Sequence, residues 1–176
     1  CVYCGTQALL TVDHVPPKGL FAKSNRGDLV RVPSCRPCNV DASKDDEYLR
    51  LVLAMREDVT GIADAREAWM ASLRGLAHPE KSRWLATIKR NITYKDRFHG
   101  GLYLGKASAY NVDLARLCRS MERIVRGLYW SEFGCRVPDG YTVATYTLDS
   151  FDLTDLKALI WLNGAAEAAL SGRLRG

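Results

Sequence analysis

The stretch LTVDHVPPKGLF, residues 10–21, stands between two short cysteine pairs, CVYC at 1–4 and CRPC at 35–38. How those pairs are read decides the fold. Two C-x-x-C hooks suit metal ligation better than a disulfide framework. Four thiolates around one ion make a closed tetrahedral zinc site. The need is physical as well. The first 40 residues hold few large apolar groups, and so short a segment rarely folds alone without a metal, disulfides or a partner. Zinc supplies on the order of 10 kcal/mol of folding free energy. Cys1, Cys4, Cys35 and Cys38 are therefore predicted to hold one structural Zn²⁺.

Between the hooks the pattern reads strand, loop, strand. LLTV (Leu9 to Val12) suits one strand, and DLVRV (Asp28 to Val32) alternates as its partner. Pro16, Pro17, Gly19, Asn25 and Gly27 mark the loop between them. After Cys38 the chain turns helical. Ser43 and Asp46 form an S-x-x-D start signal ahead of the apolar periodicity in DDEYLRLVLAM.

Taken together, Cys1-x-x-Cys4, Asp13-His14, Cys35-Arg36-Pro37-Cys38-Asn39 and Lys44 resemble the HNH endonucleases, in the branch whose ββα-metal motif is braced by a four-cysteine zinc. The resemblance covers roughly the first 50 residues. It implies that His14 is the general base, and that Asp13 and Asn39 hold a catalytic Mg²⁺ or Mn²⁺. It places the middle residue of the motif near Asp28. Asn39 stands where His is commoner, and Asp28 where Asn is commoner. The chemistry is coherent without the resemblance. An imidazole with an ordinary pKa near 6.5 can take a proton from water near neutral pH. A cation on hard oxygen ligands acts as a Lewis acid on a phosphate. If Asp13 and His14 begin to leave the strand, their side chains point to opposite faces. One can then hold metal while the other addresses water.

The rest of the chain reads as mainly helical. Residues 44 to 91 carry helical spacing, with Trp69, Met70 and Leu73 as core and Pro79 opening a further helix. Asp41 to Glu67 is acidic, with eight Asp/Glu against four Lys/Arg. Ala77 to Ala107 reverses this, with seven Lys/Arg against two acids. Within it Lys81, Arg83, Lys89, Arg90, Lys95 and Arg97 are candidate nucleic-acid contacts, interleaved with Trp84, Tyr94, Phe98 and Tyr103. A long amphipathic helix follows, capped by Asn111, with Arg116, Arg119, Arg123 and Arg126 along one face. That arginine face is read as solvated. Tyr141 to Leu148 suits a strand, and Thr154 to Leu170 a last helix. Cys118 reads as a small core residue.

The predicted fold is α+β. A zinc-braced ββα-metal module (1–45) leads into a mainly helical domain with a few strands (46–176), suited to nucleic-acid binding or assembly. The predicted function is metal-dependent hydrolysis of DNA phosphodiester bonds; no residue excludes RNA. The rival reading is a zinc-stabilised binding module without catalysis, inside a larger assembly. The net charge of +5 among 176 residues permits a polyanionic partner without requiring one. No apolar run reaches the roughly 18 residues of a membrane span. Paired cysteines of this kind predict a reducing, cytoplasmic setting. The chain opens on Cys1 rather than Met, so further residues, or a protein partner, are expected beside it.

Overall fold

A computed structural model describes residues 1–56, 59, 61–143 and 145. Cys1–Val143 forms one compact unit. Its first layer is a two-stranded antiparallel sheet. Strand β1 (Leu10–Val15) pairs with β2 (Val30–Cys35), in register from Leu10↔Cys35 to Val15↔Val30. Strand β1 runs past its predicted end, so Asp13 and His14 lie within it. The reason is packing: Val15 is buried in the core with Val2 and Val32. Strand β2 starts later than predicted and leaves Asp28 in an exposed turn. Pro33 is tolerated in β2 because the sheet has only edges. Its carbonyl accepts from the Val2 amide at 2.9 Å.

Helix α1 (Arg36–Ala54) begins directly where β2 ends, well before the predicted start at Ser43. Pro37 sits in the first turn, where its missing N–H is no loss. Ser43 lies inside the helix and donates back to the Val40 carbonyl at 2.7 Å. The boundary predicted between residues 45 and 46 falls within α1. Next come α2 (Ala63–Leu76) and α3 (Ser82–Arg90), then a hairpin of β3 (Ile92–His99) and β4 (Leu102–Tyr110). Helix α4 (Leu114–Phe133) follows. Its cap is Asp113 rather than Asn111, accepting from the Arg116 amide at 3.2 Å. The class is α+β, with four helices and two small antiparallel sheets among the described residues. Of the strand predicted at 141–148, residues 141–143 and 145 are described and form no strand; the other four, and the whole of the last predicted helix, lie outside the described residues.

Helix α2 presents a different face from the predicted one. Ala68, Ser72 and Leu76 are buried, Trp69 is half-buried, and Met70 and Leu73 are exposed. Small residues are what the α1–α2 contact requires: Ser72 Oγ lies 3.2 Å from Arg50 Nε of α1. The resulting core gathers Leu51, Leu76 and Ile88, with Trp69, Trp84 and Tyr110 packed against it. The other core joins the N-terminal sheet to Ile124 and Trp130 of α4.

That second contact hinges on Gly127. A Cβ there would stand 2.5 Å from Val15 Cγ2, so only glycine lets α4 lie this close to β1. Gly127→Ala removes a flexible residue from a helix, a gain of up to about 1 kcal/mol. The clash costs about 1–3 kcal/mol. Urea denaturation should therefore show Gly127→Ala less stable than the parent, and Val15→Ala in the same chain should return part of the loss.

Candidate metal centre

The four cysteines reach one place from three elements. Cys1 and Cys4 sit in the opening turn, closed by the Gly5 amide donating to the Cys1 carbonyl at 2.9 Å. Cys35 ends β2, and Cys38 lies in the first turn of α1. Their Sγ atoms all lie within 4.8 Å of one another, and those of Cys4 and Cys35 are 3.6 Å apart. None of the six cysteines forms a disulfide. Zinc with Zn–S bonds of about 2.3 Å in a tetrahedron sets its sulfurs about 3.8 Å apart. The cluster can hold a metal such as zinc. Burial pushes the Cys38 thiol up to about 12, and hydrogen bonding with Cys35 and Cys4 adds to this. A hydrogen bond with the Thr6 backbone holds Cys4 below the ordinary thiol range. Thiolates this crowded need a cation to balance them, and a coordinating ion deprotonates its thiols outright.

Asp13 and His14 stand on opposite faces of β1. On the inner face, Asp13 Oδ2 accepts from Tyr3 Oη at 2.7 Å and from Arg123 Nη2 at 2.6 Å. Its Oδ1 accepts from the His14 amide at 2.9 Å. Arg123, from α4, also donates to the Cys38 carbonyl at 2.8 Å, and its guanidinium lies 3.8 Å from the Tyr3 ring centroid. One arginine thus ties together the strand, the cysteine turn and the helix start. Burial, and then the bond to Asp13, raise the Tyr3 pKa. Asp46 of α1 lies beside this network, pushed up to about 6 by burial with Arg123 opposing.

Asn39, in the first turn of α1, approaches β1 on this same side. Its Nδ2 lies 3.4 Å from Thr11 Oγ1, and Thr11 and Asp13, two residues apart, share a strand face. The fold therefore brings Asn39 toward Asp13, while Asp28 remains in its exposed turn. Their oxygens are of the hard type that Mg²⁺ or Mn²⁺ prefers. A cation there meets Asp13 already paired with Arg123.

His14 is half-buried on the outer face, opposite Arg31 in the register. Burial lowers its pKa below the ordinary imidazole value, and the positive charges of Lys18 and Arg31 lower it further. It is held neutral near pH 7 amid cations, a setting suited to taking a proton beside a phosphate. Arg31 was legible only through the strand register. Arg123 stood in the sequence as part of a solvated stripe. Instead Arg116 and Arg119 pair with Asp45 at 2.8 and 2.7 Å, and Arg123 pairs with Asp13.

The candidate nucleic-acid contacts divide. Lys81 pairs with Glu47 and lies 5.6 Å from the Trp84 ring centroid. Arg83, Lys89 and Arg90 are exposed on α3, and Lys95 and Arg97 are exposed on β3.

Elemental analysis of protein purified without chelator should find one zinc per chain. Cys38→Ser should lose it and lower the melting temperature, whereas Cys135→Ser, at an exposed cysteine outside the cluster, should change neither. Protein that is folded and zinc-free would overturn the metal centre. Among the described residues, no helix is long and apolar enough to cross a membrane. No protein-family model, curated protein or solved structure matches the chain.

Proposed function

We propose that this chain is a metal-dependent endonuclease of the HNH type, acting on DNA. The observation that carries the reading is the joining of β1, β2 and α1 at the four-cysteine cluster. That junction sets Asp13 and Asn39 on one side of a strand and a neutral, cation-flanked His14 on the other. Structural zinc at Cys1, Cys4, Cys35 and Cys38 would keep the junction rigid. His14 takes the proton of the attacking water. Lys18 and Arg31, whose charges act on His14, favour a phosphate at that face. Asp13 and Asn39 would hold Mg²⁺ or Mn²⁺, which when bound polarises the phosphate and the leaving oxygen.

One observation favours a second reading. Asp13 already has a counter-ion in Arg123 and a donor in Tyr3. If that carboxylate is structural, the chain is a zinc-stabilised binding module, and His14 is a surface residue. Plasmid incubated with Mg²⁺ or Mn²⁺ separates the two. Wild type should nick or linearise it, and His14→Ala should lower the rate about 10²-fold or more, the usual loss for a general base. Asp13→Ala should raise the metal concentration needed, and Asn39→Ala should do so less. Equal cutting by wild type and His14→Ala, or none by either, transfers the assignment to the binding module.

The pH dependence follows from the sign of the His14 shift. The active form is the neutral imidazole, so the rate rises with pH through the folded pKa. Since burial and the neighbouring positive charges lower that value below the ordinary 6.5, the rising limb should fall on the acid side of 6.5. Arg31→Gln removes one of the lowering charges and should move the limb to higher pH in a rate–pH profile.

A further inference from the structure

The hairpin of β3 and β4 stands apart from both cores along most of its length. Every residue of β3 is exposed, and Tyr94, Phe98, Leu102, Tyr103 and Leu104 of the pair are all more than half exposed. Its base is held by α3, by Tyr110 in the core, and by the Asn111 amide donating to the Asn91 carbonyl at 3.2 Å. Its tip is Gly100-Gly101, both at positive φ, +57° and +82°, as a two-residue hairpin turn requires. A lone two-stranded ribbon is marginal in water, and one exposing this much side chain is built to meet something.

The register sorts its residues onto two unlike faces. Tyr94, Asp96 and Phe98 share one face, opposite Ser108, Lys106 and Tyr103. Side-chain contacts agree: the Phe98 and Tyr103 rings are 5.4 Å apart, and Tyr103 Oη donates to Asp96 Oδ1 at 3.3 Å. Thr93, Lys95 and Arg97 share the other face, opposite Ala109, Ala107 and Gly105. Asp96 is the single acid of the hairpin, and it lies on the aromatic face. The second face therefore carries Lys95 and Arg97 on one strand opposite small residues on the other, with His99 opposite Leu102 at the tip, and none of the hairpin's own residues there is a carboxylate. Lys89 and Arg90, exposed at the end of α3, add charge at its base.

We infer that this basic face is a docking surface for the phosphate backbone of double-stranded DNA. The inference rests on the reading of the chain as a DNA-acting protein, and deepens it by naming the contact. Charge complementarity selects a polyanion. A two-stranded ribbon is one of the shapes that enters the major groove. The segregation of faces selects duplex over single strand. Single-strand platforms set aromatic rings beside the cations, so that bases stack while the backbone is held. Here the rings and the Lys95–Arg97 row point in opposite directions, and the lysine on the ring face, Lys106, stands opposite Asp96. The small residues of β4 leave the lysine and arginine side chains room to reach phosphates on either side of the ribbon.

The test uses the full chain carrying His14→Ala, with no added divalent cation, so that binding is read without cleavage. Fluorescence anisotropy with a labelled 20-base-pair duplex, and with one of its strands alone, is followed across a salt series. Adding Lys95→Gln with Arg97→Gln should weaken duplex binding and reduce the slope of log affinity against log salt by about 1.8, the share of two phosphate contacts. Ala107→Glu should weaken it comparably, whereas Ser108→Glu, the same charge change on the opposite face, should have little effect. Circular dichroism checks that each variant keeps its fold. The proposal is overturned if the duplex does not bind at low salt, if the glutamine pair leaves slope and affinity unchanged, or if the two glutamate variants act alike. It is also overturned if the single strand binds more tightly and Tyr94→Ala with Phe98→Ala abolishes that binding. Plasmid cutting by wild type is scored separately. A chain that docks through the hairpin without cutting keeps this surface and loses the nuclease assignment; a chain that cuts but fails here does the reverse.

Discussion

The N-terminal half depends on one constraint: four sulfurs from the opening turn, the end of β2 and the first turn of α1 must occupy one small volume. The core beneath them is slight, built on Val2, Val15 and Val32, and burying three valines contributes only about 5–9 kcal/mol. So slight a core is little support for a segment of this length. A cation bound to the sulfurs would add its binding free energy to folding. The abrupt start of α1 belongs to the same constraint. Only a helix beginning at Arg36 turns Cys38 back toward Cys35 and carries Asn39 to the side of β1 where Asp13 lies.

Helix α4 is the second support, and it works through charge as well as packing. Arg116 and Arg119 hold Asp45, and Arg123 holds Asp13 and the Cys38 carbonyl. Although burial opposes it, the hydrogen bonds from Arg119 and Arg116 keep the Asp45 carboxyl below its ordinary range. The Asp13–Arg123 pair is largely buried, so removing either partner strands a charge. Residues 110 positions apart in sequence are thereby coupled. The acidic segment on α1 and the arginines on α4, which read separately as opposite surfaces, meet as an internal interface. Gly127 makes the approach possible, and the ion pairs set its register.

Polarity is divided in the same manner at both ends of the unit. On β1, strand alternation gives Asp13 to the interior and His14 to a cationic exterior. On the β3–β4 hairpin, the same period of two parts the rings from Lys95 and Arg97. In each case neighbours in sequence have different physical surroundings. A half-buried imidazole and a paired carboxylate can sit side by side on the chain without sharing an environment.

The sequence by itself determined the four-cysteine site, the α+β class, and the candidacy of Asp13, His14 and Asn39. These rest on spacing and residue chemistry, which are local. The run ITYKDRFHGGLYLGKASAY also held a legible hairpin, through its alternation and its Gly-Gly turn, beside the charge and interleaved rings read there. Tertiary structure decided the rest. The long reach of β1 follows from Val15 entering a core whose other members are distant in the chain. The early start of α1 follows from the sulfur cluster, against a good local start signal at Ser43. The buried face of α2 follows from α1 lying close enough to demand Ala68 and Ser72 in place of Met70 and Leu73. The conversion of an apparently solvated arginine stripe into the clamp on Asp13 follows from helix packing. In each instance the competing local preference is worth about 1 kcal/mol or less, and packing or ion pairing between distant segments outweighs it.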